Sequence, residues 1–174
     1  AGREAVVCMM DYDNLLSNSI LQIKPSAIRR FFDILAEMSD AISLGIGEPD
    51  FVTPFHIRNE GIRSLERGYT KYSANAGMSE LRREISRYLA RRFDLHYSAD
   101  TELFVTVGGS EAIDAAIRSL VNPGDEVIVP EPTFVCYSPL VSLAHGVPVA
   151  LETKEKDEFR VTPQALEKLI TPKT

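Results

Sequence analysis

The apolar positions of the chain recur at two different spacings, which predict alternating helices and strands. Helical spacing, at every third or fourth residue, predicts an amphipathic helix over 27–38 and a longer one over 78–95. Three short runs have the β-branched composition of buried strands, namely 103–107, 126–129 and 147–151. The stretches between these strands are long enough for crossover helices, which predicts a parallel sheet in an α/β fold.

Proline, glycine and capping residues place the remaining elements. Pro54 and Pro163 suit the first turn of a helix, and Gly68 suits the end of one. The other predicted elements are helices over 54–67, 111–121, 137–144 and 163–170, an extended arm with a short helix over 11–24, and a short strand over 41–44.

A tight turn at Val107-Gly108-Gly109-Ser110 joins the first predicted strand to its helix. The glycines let the backbone reverse and an anion approach the main chain, and Ser110 is predicted to cap the helix. Free N–H groups at a helix start favour phosphate binding. An ordinary strand-to-helix turn remains the alternative, because the stretch has neither the lysine of a P-loop nor the third glycine of a dinucleotide fingerprint.

Three other stretches suit a binding edge. The loop around Gly47 and Pro49 is rigid and exposes its backbone, and the loop over 69–77 carries tyrosines in a polar setting. Phe134 follows the second predicted strand at its carboxyl end, where open α/β sheets bind ligands. The turn at Gly108 and the Phe134 ring are therefore expected to face one crevice.

Composition narrows the classes of partner. The 174 residues are 44% hydrophobic with a formal charge of −6, which disfavours general affinity for nucleic acid or anionic membrane. Cys8 and Cys136 lie far apart without a Cys-x-x-Cys pattern, so neither a disulfide framework nor a zinc site is expected. No apolar run approaches the roughly 18 residues of a membrane span. We expect small molecules or protein as partners, and a cytoplasmic location.

The arginines of the 78–95 helix are predicted to lie largely outward on a solvated face. Glu80 and Glu84 stand at helical spacing to pair with them. The leucine, isoleucine, tyrosine and phenylalanine positions are predicted to face inward. The arginines in question are Arg82, Arg83, Arg87, Arg91 and Arg92, and the inward positions are Leu81, Ile85, Tyr88, Leu89 and Phe93.

Four stretches, taken in order, resemble the fold-type-I pyridoxal-phosphate aminotransferases, specifically the aspartate and aromatic aminotransferase group. They are Gly47 to Phe51, Lys71-Tyr72 with Gly77, Val107 to Ala112, and Asn122 to Asp125 leading to Pro132-Thr133-Phe134 and Tyr137. The resemblance implies part of a three-layer α/β/α sandwich with a mainly parallel sheet. Residues 1–50 would form the arm and a small-domain segment, and 51–174 the first half of the cofactor-binding large domain.

The resemblance also implies the residues that hold pyridoxal 5'-phosphate. The family's cofactor-binding positions match Gly108, Gly109, Ser110, Glu111, Phe134 and Tyr72. Among these, Phe134 would stack on the pyridine ring, and Tyr72 would reach the cofactor phosphate of the other subunit, which implies a homodimer. Gly47 matches the glycine whose backbone lies against the substrate carboxylate.

The family's Schiff-base lysine has no counterpart in this sequence, so no catalytic residue is assigned. We therefore expect an inactive N-terminal part of an enzyme that moves an amino group between an L-amino acid and a 2-oxo acid. Carbon–sulfur lyases and related synthases share the cofactor cradle and remain an alternative. A cofactor-sensing regulator or a non-catalytic phosphate-binding module is the other alternative. The run from Gly47 to Pro54 and the preceding stretch from Ile28 to Asp33 are similar to aspartate and acetyl-diaminopimelate aminotransferases.

Overall fold

The computed structural model describes residues 15–23, 34, 38, 40, 47 and 49–174. Its helices are α1 (Asn18–Leu21), α2 (Phe55–Glu66), α3 (Ser79–Phe93), α4 (Gly109–Leu120), α5 (Tyr137–Leu143) and α6 (Pro163–Glu167), and its strands are β1 (Glu126–Glu131) and β2 (Val147–Glu152). Two compact units are present, one of Ala1–Ser26 with Ser110–Thr174 and the other of Ala27–Gly109. The helix predicted over 27–38 and the strand predicted over 41–44 lie outside the described residues, apart from isolated positions.

A parallel strand–helix–strand motif is the centre of the first unit. β1 pairs with β2 in register from Glu126 opposite Val147 to Glu131 opposite Glu152. Parallel neighbours need a crossover connection, and α5 supplies it. Both strands and this helix were predicted and are confirmed, with each strand slightly longer than its apolar run. The parallel α/β fold is therefore confirmed as well.

The core of this motif consists of aliphatic side chains from all three elements. Val129 on β1, Val141 on α5 and Leu151 on β2 are only 3%, 0% and 2% exposed. Val141 lies where α5 packs on both strands. Burial of branched aliphatic side chains, at about 1.5–3 kcal/mol each, holds the crossover helix on the sheet.

The strand predicted over 103–107 is wrong. Residues 103–106 have no regular secondary structure, and the sheet formed by the described residues consists of β1 and β2. The Val105 N–H donates to the Ala76 carbonyl at 3.0 Å, in place of a ladder of such bonds. β-branched residues favour an extended backbone, but a strand also requires a neighbouring strand beside it.

Proline and glycine set the ends of α2 as predicted. The helix begins directly after Pro54, and the chain leaves it through Gly68, whose φ of +75° costs glycine little. At α6, the Thr162 hydroxyl accepts the Ala165 N–H at 3.3 Å and caps the helix start. α6 ends at Glu167, short of the predicted end near residue 170.

The short helix predicted within 11–24 is confirmed as α1. The Ser17 hydroxyl accepts the Ile20 N–H at 3.4 Å and marks its start. None of the helices in the described parts of the chain is both long and apolar enough to cross a membrane.

The surface of α3 carries the predicted ion pairs. Arg83 pairs with Glu80 at 3.5 Å, and Arg87 pairs with Glu84. Hydrogen bonding to the backbone of Glu80 itself, in the first turn, holds the pKa of this carboxyl below its usual value of 4.5, with smaller contributions from Ser79 and Arg83. Such exposed pairs stabilise a helix by only a few tenths of a kcal/mol each.

Arg82 corrects the prediction that the arginines lie outward. Its side chain is buried, with 9% exposure, and its Nη1 donates a hydrogen bond to the Ala99 carbonyl. The segment after α3 returns along the helix and covers this position, which helical spacing alone cannot reveal.

The apolar face of α3 corrects a second prediction. Leu81, Tyr88 and Phe93 were expected inward, yet they are 45%, 48% and 56% exposed. Ile85 and Leu89, predicted inward with them, are half-buried. Tyr88 and Phe93 meet edge to face with ring centroids 5.8 Å apart. Within the described residues, no other helix or strand packs extensively against this face, so the amphipathic pattern marks a surface that remains largely uncovered.

Candidate functional site

The glycine turn lies directly before α4 and sets where this helix begins. Gly108 has a φ of +86°, a conformation that favours glycine, and the helix begins at Gly109. Ser110 therefore lies inside the first turn, and its predicted role as the residue that caps the helix is wrong. The backbone N–H groups of Gly109 and Ser110 belong to the first turn, where no preceding helical carbonyl is available to accept them.

The space above this turn is open. A Cβ placed on Gly108 or Gly109 would meet no atom of the described residues within 4 Å, and both glycines are exposed. The Ser110 side chain is also exposed, and its hydroxyl has no hydrogen-bond partner within the described part of the chain. The amides of Gly109 and Ser110, the Ser110 hydroxyl and the positive end of the helix dipole together form a donor set that fits a phosphate group.

Thr106 braces the turn from within. Its Oγ1 donates a hydrogen bond to the Gly108 carbonyl oxygen at 2.8 Å. Sequence reasoning missed this residue, although a threonine two positions before a glycine can form such a side-chain-to-backbone bond. Thr106 thus fixes a backbone group next to the predicted phosphate-binding amides.

Phe134 lies just beyond β1, as predicted, in the segment that leads into α5. Its ring is 55% exposed and meets the Tyr137 ring edge to face, with centroids 6.0 Å apart and planes 81° apart. The contact with Tyr137 restricts rotation of the Phe134 ring, and the exposed part of the ring is accessible to a planar ligand. Cys136, between them, is a free and half-buried thiol.

Tyr72 is fully exposed on its loop. The loop over 69–77 is attached at its end, where Gly77 has a φ of +90° and a Cβ built there would lie 2.8 Å from the Val105 Cβ. The loop therefore crosses closely over the segment that leads to the glycine turn. A Cβ at Gly47 would meet no atom of the described residues within 4 Å, so its backbone is accessible.

The predicted residues are divided between the two units. Gly108 and Gly109 end the second unit, and Ser110 and Glu111 follow them in the first unit as consecutive residues of one turn. Phe134 also belongs to the first unit. Tyr72 and Gly47 belong to the second unit. The expectation that the glycine turn and Phe134 face one crevice stays a prediction.

His96 Nε2 lies 3.2 Å from the Asp94 carboxylate, and His145 adopts a φ of +63° at the turn after α5. Among the described residues, no group of three potential metal-ligating side chains lies together.

Comparison with known proteins adds family information to this geometry. A model of the family described as "Aminotransferase class I and II" matches residues 39–174. This range includes every predicted cofactor-binding residue and Gly47.

Two curated relatives align with most of the chain. "Putative aminotransferase YugH" of Bacillus subtilis (strain 168) is 58% identical over 159 residues, which are 91% of this chain and 41% of the relative. An aspartate aminotransferase of Pyrococcus abyssi is 42% identical, again over 91% of this chain and 41% of the relative. The chain thus spans about two fifths of the length of these relatives.

A solved structure agrees with the fold. The aspartate aminotransferase from Thermus thermophilus, determined with maleate, superposes with a TM-score of 0.83 at 36% identity. The match covers 91% of this chain and 42% of that chain.

Proposed function

Because the chain belongs to the class I and II aminotransferases, we propose that the whole protein containing it transfers an amino group between an L-amino acid and a 2-oxo acid, with pyridoxal 5'-phosphate as cofactor. The observation that carries the proposal is the glycine turn. There, Gly108 at a φ of +86° leaves the start of α4 open to an anion.

The chain's own residues would hold the cofactor at two points. The amides of Gly109, Ser110 and Glu111, with the Ser110 hydroxyl, would bind the phosphate, and the helix dipole would add about 0.3–2 kcal/mol. The exposed Phe134 ring would stack on the pyridine ring. When bound, pyridoxal phosphate supplies an electron sink that stabilises negative charge at the substrate's α-carbon.

Anchoring at separated points is what this part of the chain contributes to the chemistry. A phosphate held by several donors cannot slide, and a stacked aromatic ring restricts tilting of the heterocycle. Both constraints orient the cofactor before substrate arrives. The accessible backbone of Gly47 would lie against the substrate carboxylate.

We also propose that the protein acts as a homodimer in the cytoplasm. Tyr72 is fully exposed, so its hydroxyl is available to the cofactor phosphate of a second subunit. The widely separated cysteines suit a reducing compartment. In this proposal, 1–50 form the arm and small-domain segment, and 51–174 form the first half of the cofactor-binding domain.

Cofactor titration of the whole protein tests the proposal. We expect a cofactor absorbance band that borohydride abolishes, together with amino-group transfer from an L-amino acid such as aspartate to a 2-oxo acid. Ser110→Ala should weaken pyridoxal phosphate binding about tenfold or more, because it removes a hydrogen bond to a charged group.

Ser119→Ala is the matched control on the same helix. Ser119 donates its hydroxyl to the Ala115 carbonyl at 2.7 Å, near the opposite end of α4, and its loss should leave cofactor affinity unchanged. Absence of the absorbance band would contradict cofactor binding. Elimination of a thiol without amino transfer would identify the lyase alternative. Equal effects of the two serine variants would contradict the assignment of the phosphate cradle.

A further inference from the structure

We propose that Thr106 is a positioning residue for the cofactor phosphate and that its hydroxyl sets the direction of the first amide donor of the cradle. This inference rests on the proposed function. It assigns a role in that site to a residue outside the matched cofactor-binding positions.

The connection between Thr106 and the cradle is a single peptide group. The Gly108 carbonyl and the Gly109 N–H belong to the same planar peptide unit and point in opposite directions. The 2.8 Å hydrogen bond from Thr106 Oγ1 to the Gly108 oxygen therefore also orients the Gly109 N–H. That N–H is the first free donor at the start of α4.

This peptide unit needs such a restraint because a glycine stands on each side of it. Rotation of the plane changes ψ of Gly108 and φ of Gly109, and both residues lack the Cβ that limits these angles elsewhere. Because Gly108 precedes the first helical residue, its carbonyl oxygen also accepts the first backbone hydrogen bond of α4. The Thr106 hydroxyl adds a second, side-chain restraint on rotation of this peptide unit.

Thr106 can act in this way because the backbone before it is itself fixed. The Val105 N–H is bonded to the Ala76 carbonyl at 3.0 Å, and Val105 packs against Gly77. Thr106 is half-buried, whereas Gly108 and Gly109 are exposed. The hydroxyl thus extends from an anchored segment to the peptide group that joins the turn to α4.

Paired binding measurements on the whole protein separate this role from general stabilisation. Dissociation constants are measured for pyridoxal phosphate and for pyridoxal, which lacks the phosphate, in wild type, Thr106→Val and Thr106→Ser. Thr106→Val keeps the shape of the side chain and removes the hydroxyl. We expect it to weaken pyridoxal phosphate binding about three- to tenfold, as loss of one hydrogen bond would. Pyridoxal binding should change little, and Thr106→Ser should restore the wild-type preference.

Thr153→Val is the matched control. Thr153 Oγ1 also donates to a backbone carbonyl, that of Glu131 at 2.7 Å, so the variant removes the same kind of bond elsewhere. Its ratio of the two dissociation constants should equal that of wild type. Melting temperatures of all variants show whether folding is preserved.

The outcomes distinguish this inference from the proposed function. If Thr106→Val leaves the ratio unchanged or weakens both ligands equally, the positioning role is wrong while cofactor binding stands. Failure of Thr106→Ser to restore the ratio also overturns the role. If the wild-type protein binds neither ligand, the proposed function itself fails.

Discussion

At the scale of single residues, Gly77 and Gly68 separate two reasons for which a position needs glycine. Both have positive φ, at +90° and +75° respectively. A Cβ at Gly77 would lie 2.8 Å from the Val105 Cβ, whereas one at Gly68 would meet no atom of the described residues within 4 Å. Gly77 therefore satisfies both a backbone and a packing requirement, and Gly68 only the first.

Substitution of each glycine by alanine should show how much the backbone requirement and the packing requirement contribute to the free energy of unfolding. We expect Gly68→Ala to lower the free energy of unfolding by about 1 kcal/mol, the cost of a positive φ for alanine. Gly77→Ala should cost about 1–3 kcal/mol more, because Val105 must move. Urea denaturation of the whole protein gives both values. Equal losses in the two variants would show that the Val105 contact imposes no cost.

At the scale of residues, the predictions from sequence are correct where the conformation depends on the residue's own chemistry. They are wrong or incomplete where it depends on a contact with another residue. A glycine turn before a helix could be predicted because glycine's conformational freedom is intrinsic. The residue at which the helix begins could not be predicted in this way. Ser110 lies inside the helix that it was expected to cap. The bond from Thr106 to Gly108 depends on the achieved backbone path, so composition and spacing do not reveal it.

At the scale of elements, the same distinction separates β1 and β2 from the wrongly predicted strand at 103–107. All three runs have the apolar composition of a strand. β1 and β2 are joined by a helix of suitable length and provide each other's hydrogen-bonding partner. Residues 103–107 meet Ala76 through one backbone bond, and the described sheet offers them no ladder. Pairing is a property of two segments, which one segment's pattern cannot predict.

Helix α3 carries one buried arginine, Arg82, whose hydrogen bond connects the helix to the segment that follows it. Arg82 is buried and bonded to the Ala99 carbonyl, whereas Arg83, the next residue, is exposed and pairs with Glu80. The Arg82 Nε has no hydrogen-bond partner among the described residues. The hydrogen bond from Arg82 Nη1 to the Ala99 carbonyl connects the segment after the helix to the first half of α3.

Substitution of these two neighbouring arginines should have unequal effects. Arg82→Ala removes buried side-chain contacts and a charged hydrogen bond, so we expect a loss of about 1–3 kcal/mol in the free energy of unfolding. Arg83→Ala removes an exposed ion pair and should cost less than about 0.5 kcal/mol. Chemical denaturation measures both, and amide hydrogen exchange over 95–102 should quicken only in Arg82→Ala. If Arg82→Ala leaves the free energy of unfolding unchanged, the bond from Arg82 to Ala99 does not stabilise the protein.

At the scale of the whole molecule, large apolar side chains remain on the surface of the described residues. Phe51, Phe55, Leu65 and Leu120 are 87%, 72%, 65% and 80% exposed. The chain also spans only 41% of the length of its curated relatives YugH and the Pyrococcus enzyme. Exposed apolar area favours association because burying it releases water from an unfavourable contact.

We therefore expect the isolated 174-residue chain to self-associate. Gel filtration with light scattering, from about 1 to about 100 µM, should show the apparent mass rising with concentration. Combined substitution of Phe55→Ser and Leu65→Ser, both on α2, should shift the distribution towards monomer, because it removes two exposed apolar side chains. Arg58→Ser on the same helix is the polar control and should leave it unchanged. A monomer that keeps one mass across the range and melts cooperatively would show that these side chains do not drive association.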